Sequence, residues 1–243
     1  IGVEAGKSIT SGGSNTVLGY RAGQDITSGN YNFLGGFYAG NNITTGSDNI
    51  SIGLNSGSQL TTQSDNIFLG KEAGSNSTGG IGIGYRAARY STSLTNTAVG
   101  YEALTGFTTG YGNTAVGNNS PDAVTEGFYN IGIGPAAGGS ITTGDHNIAI
   151  GNGALFTHNQ ASSIDSYNTA VGSNAGGAVT TGIRNTLIGG LAGDAITTAS
   201  GNTAVGYAAL STTATGFNNT AVGDAALVSN TTGHSNTALG KSA

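Results

Sequence analysis

The string Asn96-Thr97-Ala98-Val99-Gly100 returns verbatim at 113–117, 168–172, 202–206 and 219–223. Close variants stand at Asn15-Thr16-Val17-Leu18-Gly19, Asn49-Ile50-Ser51-Ile52-Gly53, Asn130-Ile131-Gly132-Ile133-Gly134, Asn147-Ile148-Ala149-Ile150-Gly151 and Asn236-Thr237-Ala238-Leu239-Gly240. The usual period is ~17 residues, as from Asn185 to Asn202. A fixed short period makes each unit one supersecondary element that can bury its apolar face only against its neighbours, so the chain is restricted to a stacked solenoid. A looser block lies between the strings, as in Ile43-Thr44-Thr45-Gly46 and Ile141-Thr142-Thr143-Gly144.

With the leading Asn as slot 1, slots 2 to 4 are β-branched or small and predict a short strand. Slot 5 is Gly throughout, as at Gly100, Gly117, Gly172 and Gly206, which marks a positive φ or a close approach between coils. The Thr-Thr-Gly block predicts a second short strand. Two strands per repeat give an all-β parallel β-roll or β-solenoid of about fourteen coils, which at ~4.8 Å per coil is a rod on the order of 65 Å. The leading Asn residues, Asn96, Asn113, Asn168 and Asn202 among them, are expected to stack into a ladder of side-chain amides that seals the turns.

Volume compensation points to a shared interior. Where slot 9 is Gly, slot 12 is usually aliphatic, as in Gly23 with Ile26, Gly138 with Ile141 and Gly193 with Ile196; where slot 9 is Leu210 or Leu227, slot 12 is Thr213 or Asn230. Leu104 with Phe107 is the exception. Ile at slot 2 accompanies a small slot 3 in Ile50-Ser51, Ile131-Gly132 and Ile148-Ala149, which reads as a second compensation. Both strand faces are apolar or small, the mark of a strand covered on both sides. One coil has only one inside, so the other face needs a second surface, most simply the same strand of neighbouring chains around an axis.

The 45 Gly and 8% charged residues do not describe a packed enzyme, and the register of the repeat excludes low-complexity disorder. A net charge of -5 with scattered basic residues gives no footprint for nucleic acid or an anionic membrane. There is no apolar run long enough to insert into a membrane, and zero Cys removes disulfides and thiolate metal sites. No linker or composition shift interrupts residues 1–243, which read as one repeat domain. Ile1-Gly2 fall on slots 4 and 5 and only Lys241-Ser242-Ala243 follow Gly240, so a segment of a longer fibre, or a segment whose ends stack end to end, is expected.

The unit resembles the β-roll head repeats of trimeric autotransporter adhesins, and more closely the Asn-Thr-Ala-Val-Gly-Tyr-x-Ala-Leu…Thr-Thr-Gly repeats of phage tail fibres and related bacterial surface proteins. The matching residues are 96–100 with Tyr101, Ala103, Leu104 and Thr108-Thr109-Gly110, and 202–206 with Tyr207, Ala209 and Leu210. The resemblance covers essentially the whole chain. It implies a left-handed β-roll, a homotrimer, and an extracellular structural or adhesive role on a virion or cell surface, with a glycan or protein of a host surface as partner.

No catalytic residue, metal site or cofactor is expected. His146, His158 and His234 lack a recurring carboxylate partner and read as surface turns, and the string Gly80-Ile81-Gly82-Ile83-Gly84 sits on the repeat's own strand with no helix to form a phosphate loop. The unit from Asn147 to Tyr167 is longer than the others; its Phe156, His158, Asn159, Gln160 and Asp165 form a candidate binding loop, expected to bulge from an otherwise smooth surface. Aromatics at slot 6, Tyr20, Phe37, Tyr85, Tyr101 and Tyr207, read either as a sugar-stacking stripe or as covers for the turn. The function that follows is a non-enzymatic rod or adhesin segment. Two alternatives stand beside it: an ice-binding solenoid using a rank of Thr45, Thr62, Thr143, Thr181, Thr198 and Thr232, and a filament that assembles end to end.

Overall fold

Stacking a repeat unit on its own copy places like residues over like, and the backbone amides pair from coil to coil. The computed structural model describes residues 1–74, 78–90, 95–106, 109–121 and 126–243. Phe107 and Thr108 lie outside the described residues. The chain is an all-β parallel β-solenoid with ~17-residue coils and, among the described residues, no helix. Its contacts divide it into two units, 1–113 and 114–243.

In the first unit, β1 (Thr16–Leu18), β2 (Phe33–Gly35), β3 (Ile50–Ile52), β4 (Ile67–Leu69), β5 (Ile81–Ile83) and β6 (Thr97–Val99) pair in chain order, all parallel. The second unit holds β7 (Thr114–Val116), β8 (Ile131–Ile133), β9 (Gly144–Asp145), β10 (Ile148–Ile150), β11 (Ile164–Asp165), β12 (Thr169–Val171), β13 (Thr186–Ile188), β14 (Thr203–Val205), β15 (Thr220–Val222) and β16 (Thr237–Leu239). Its ladder runs β7-β8-β10-β12-β13-β14-β15-β16, with β11 paired to β9 apart from it. Register follows the slot and not the length of the coil. Ile67 pairs with Ile81 and Ile81 with Thr97 across two shortened coils, and Ile148 pairs with Thr169 across the lengthened one.

The Asn ladder is present in both units. Asn49 donates from both its backbone N–H (3.1 Å) and its Nδ2 (3.0 Å) to Asn32 Oδ1, and Asn202 does the same to Asn185 Oδ1 at 3.0 and 3.3 Å. The same amide closes its own coil, since Asn202 Nδ2 donates to Gly216 O at 3.0 Å. These side chains are buried, and the donor and acceptor together explain why neither Asp nor Leu replaces them. In the coil that follows Gly79, Gly80 stands in slot 1, and its N–H donates to Asn66 Oδ1 at 2.9 Å. The slot 5 glycine is equally specified: Gly117 has φ +138, and a Cβ there would lie 2.7 Å from the carbonyl carbon and oxygen of Gly134.

Three expectations need correction. Among the described residues the Thr-Thr-Gly block is not a second strand: apart from the two-residue pair β9 and β11, each coil shows one strand, and the block is a bend. It is held from coil to coil by the slot 13 N–H and hydroxyl together, Thr180 N and Oγ1 both donating to Thr197 O at 2.8 and 3.1 Å. A hydroxyl competing for the ladder acceptor favours a bend over extended pairing.

The second correction concerns volume. Slots 2 and 3 point to opposite faces, and only slot 3 is inside, so they cannot compensate for one another. Slot 3 compensates instead with slot 9. Leu187 lies between two slot 9 glycines, its Cδ1 2.7 Å from where a Cβ of Gly176 would be and its Cδ2 2.7 Å from that of Gly193. Leu34 sits in the same way between Gly23 and Gly40, and Phe68 fills the space above Gly74. Where slot 9 is Leu210 or Leu155, slot 3 is Ala204 or Ala149, all fully buried. Slot 9 also has a left-handed backbone, at φ +54 for Leu210 and +60 for Gly193, a conformation that costs Leu more than Gly.

Third, His158 is not on the surface. It is fully buried at slot 12, where other coils place Ile26, Leu60 or Ile196, and neither ring nitrogen has a well-aligned hydrogen-bond partner. Burial depresses its pKa to about 4, so the ring is held neutral. The interior is otherwise narrow, built from slot 3, the slot 8 alanines such as Ala22 and Ala192, and slot 9 or 12, with small buried hydroxyls at Ser51, Ser56, Ser120 and Thr213.

Candidate binding surfaces

Alternation along a three-residue strand decides what the ladder shows to solvent. With slot 3 inside, slots 2 and 4 face out, leaving Leu18, Phe33, Ile50, Ile52 and Ile83 exposed on the first unit and Val116, Ile133 and Ile188 on the second. Ile52 and Ile188 keep 41% and 40% of their surface open. Each unit therefore carries a column of exposed aliphatic side chains along its ladder.

Slots 6 and 7 form a second column in the first unit. Slot 7 has φ near +55, as at Arg21 and Arg86 (+54 each), so its side chains leave the coil sideways and meet their counterparts one coil away. Arg21 Nε donates to Glu4 Oε2 at 2.6 Å and its Nη1 to Tyr38 OH at 3.0 Å. Arg86 bridges Glu72 at 2.9 Å and Glu102 at 3.3 Å, and Arg89 Nη1 lies 2.9 Å from Glu72. The hydrogen bond from Arg86 holds the Glu72 carboxyl below its usual range, and that from Lys7, with Arg21, does so for Glu4.

The slot 6 rings pair face to face because the coil step matches the separation of stacked rings. Tyr20 and Phe37 have centroids 5.0 Å apart at 20°, and Tyr85 and Tyr101 5.0 Å at 26°. Cations take further faces: the Arg21 guanidinium is 5.1 Å from the Tyr20 centroid, and those of Lys71 and Arg86 are 5.7 and 4.7 Å from Tyr85. Within each pair one face of every ring is spent on its neighbour, and Tyr20 and Tyr85 also face cations, whereas Tyr101 and Tyr207 stay more than half exposed.

In the second unit the aromatic column stands at slots 16 and 17. His146 lies between Tyr129 and Tyr167 at 5.3 and 5.0 Å, and Phe217 stacks on His234 at 4.7 Å and 5°. His146 Nδ1 is 3.0 Å from Asp165 Oδ1 without the alignment of a hydrogen bond. The Asp165 carboxylate, 3.3 Å from the Tyr167 hydroxyl, raises that phenol's pKa.

The long coil does not gather its five candidate residues into one site. His158 is in the interior; Asn159 continues the slot 13 stack, accepting from Thr142 Oγ1; and Gln160, 7% exposed, donates to Thr181 O at 3.0 Å. The extra residues fold back on the preceding coil, where Ser163 Oγ donates to Asp145 Oδ2 at 2.8 Å and β11 pairs with β9. Phe156, Asn159 and Asp165 remain open, at different slots of the coil. Of the Thr rank, Thr45, Thr62, Thr181, Thr198 and Thr232 are exposed and Thr143 is half-buried.

Reading the long coil for its insertion missed a groove beside it. Its lining includes Phe156, Asn174, Gly177, Leu191 and Asp194, with a volume of about 350 Å³. The signal was available in slot 10, where Gly139 and Gly177 flank Phe156. No protein-family model, curated protein or solved structure matches the chain.

Proposed function

We propose that this chain is a non-enzymatic structural segment of an extracellular fibre or adhesin, assembling as a homotrimeric rod on a virion or cell surface. The observation that carries the reading is the exposed slot 2 and slot 4 column. Burying apolar surface stabilises by about 25 cal/mol per Å², and a recurring column of exposed apolar side chains on a sheet, here broken at Gly35 and interleaved with slot 2 threonines, marks an interface. Three copies of one ladder around an axis cover each other's stripes with a single surface. The resemblance to tail-fibre and adhesin-head repeats supports the same arrangement, and the cation-filled, ring-paired slot 6 and 7 column supports a role as durable outer surface in the first unit.

Light scattering coupled to size exclusion tests it: the expected particle has three times the mass of the 23.7 kDa chain. Ile52→Glu together with Ile188→Glu should release monomers that keep their circular dichroism. A stable wild-type monomer at micromolar concentration removes the reading. The exposed Thr rank favours the ice-binding alternative to a smaller degree. The neighbouring slot 13 hydroxyls of Thr27, Thr44 and Thr180 donate to the next coil, and within the slot 14 rank Thr143 Oγ1 donates to Gln160 O at 2.6 Å; thermal hysteresis in a monomeric sample would favour that alternative.

A further inference from the structure

Slot 10 of the second unit reads Gly139, Phe156, Gly177, Asp194 on successive coils. The backbone keeps the last three in one column: Thr157 N donates to Gly177 O at 3.2 Å, and Ala178 N to Asp194 O at 3.1 Å. Phe156 lies over Gly139, where a Cβ would be 2.9 Å from ring atom Cδ2. On the other side Gly177 has no side chain, so that face of the ring meets a gap two coil steps wide, roughly 10 Å. The far wall of the gap is Asp194.

The remaining lining is shaped for a flat, donor-rich guest. Asn174 brings a side-chain amide, laid across Gly153 so closely that a Cβ there would be 2.5 Å from Asn174 Oδ1. Leu191 and Ala178 supply apolar wall, and the Thr157 hydroxyl is already bonded to Gly177 O at 2.8 Å. Asp194 Oδ1 is buried without a hydrogen-bond partner, and burial raises the carboxyl's pKa. Among the described residues no cation lines the groove. Its volume, about 350 Å³, is at the small end of ligand sites.

We infer that this groove is a monosaccharide site that takes a neutral pyranose, its C–H face on the Phe156 ring and its hydroxyls donating to Asp194, with the Asn174 amide alongside. The ring height and one hydroxyl hydrogen bond fill the gap between aromatic face and carboxylate. An acidic sugar is excluded because its carboxylate would face Asp194 with no cation between them. The inference rests on the adhesive half of the proposed function and gives it a ligand class and a place.

Saturation-transfer NMR on the whole chain, with the methyl glycosides of glucose, galactose and mannose, tests it. At least one glycoside should bind with a dissociation constant on the order of 1 mM, as a single stacked ring allows. Gly177→Gln places in the gap a side chain that the same slot accepts at Gln24, so the melting temperature should hold while binding falls about tenfold or more. Asp194→Asn and Phe156→Ala should each weaken it about tenfold. Glucuronate should bind at least about tenfold more weakly than glucoside. No glycoside binding, binding unchanged by Gly177→Gln, or displacement of the sugar by tetramethylammonium at equal concentration would overturn the inference, the last in favour of a cation site. Mass measured on the same sample separates the two proposals: a trimer without glycoside binding removes only this site, and a monomer that binds removes only the rod.

Discussion

In residues 1–113 slot 7 holds Glu4, Arg21, Tyr38, Asn55, Glu72, Arg86 and Glu102; in residues 114–243 it holds Asn119, Ala136, Gly153, Asn174, Leu191, Ala208, Ala225 and Ser242. The first set is a ladder of ion pairs beside stacked rings, and the second is small and mostly uncharged, with its aromatic stacks moved to slots 16 and 17. Beneath this the two units share one frame: amide ladder at slot 1, inward side chain at slot 3, glycine at slot 5, small residue at slot 8. The contrast separates what stacking demands from what it leaves free. Positions whose side chains face the next coil's backbone are fixed, and positions in the left-handed conformation at slots 7 and 17 accept Glu, Tyr, His, Arg or Ala because their side chains leave the coil.

The largest effect should be indifferent to the unit. Gly53→Val in the first and Gly117→Val in the second each put a Cβ against a rigid carbonyl, at 2.5 and 2.7 Å, from φ of +132 and +138. Strain and clash together should cost more than about 4 kcal/mol in urea melts, while Asn118→Ala, on the coil's outer edge, should change nothing measurable. A tolerated Gly53→Val beside a ruinous Gly117→Val would mean the frames differ.

Acid should tell the units apart. All three histidines are in the second, and His158 is neutral and buried with a pKa of about 4. The unfolded chain takes up that proton near pH 6.5 and the folded one does not, so stability is full above pH 6.5 and falls as pH drops towards 4, by about 3 kcal/mol in all. His158→Leu, which restores the aliphatic slot 12, should abolish that slope. In the first unit the groups with lowered pKa are Glu4 and Glu72, whose contribution is present above the ordinary carboxylate range and is lost only as pH falls below it. Hydrogen exchange resolved by peptide should therefore show the second unit opening first between pH 6.5 and 4. Loss of protection in residues 1–113 at the same pH would break the distinction.

A smaller and again unit-independent cost, about 2 kcal/mol each, is expected for Asn49→Ala and Asn202→Ala, since each leaves a buried N–H and a carbonyl without their partners. The smallest belongs to Arg86→Ala. The ion pairs are open to water, so any loss should be confined to low salt and vanish at high ionic strength; a salt-independent loss would make the slot 7 ladder part of the frame.

The frame was legible in the sequence because every coil restates it. Asn202 and Gly206 each have one environment that explains them, and repetition supplies that environment. What a single coil does once was not legible. His158 reads as a surface residue by type, and its burial follows from counting slots through the long coil to slot 12. The Thr-Thr bend misled because β-branched pairs favour strands, yet their hydroxyls are near enough to the next coil to replace extended pairing. The slot 6 rings have the composition of a sugar platform, and only the match between coil step and ring spacing shows that Tyr20 with Phe37 and Tyr85 with Tyr101 spend a face on each other. The groove at Gly177 was visible as a missing side chain, a signal easily lost among 45 glycines.

Register that follows the slot through short, regular and long coils alike has a genetic consequence. Crossing over between any two copies of Asn-Thr-Ala-Val-Gly, such as 168–172 and 202–206, removes or duplicates whole coils and joins a strand to a strand of the same sequence. The ladder closes over the junction with every amide, glycine and inward side chain in place. Descendants of such a gene differ in quantised steps of reach, while the chemistry written on slots 6, 7, 10, 16 and 17 is dealt out afresh in blocks.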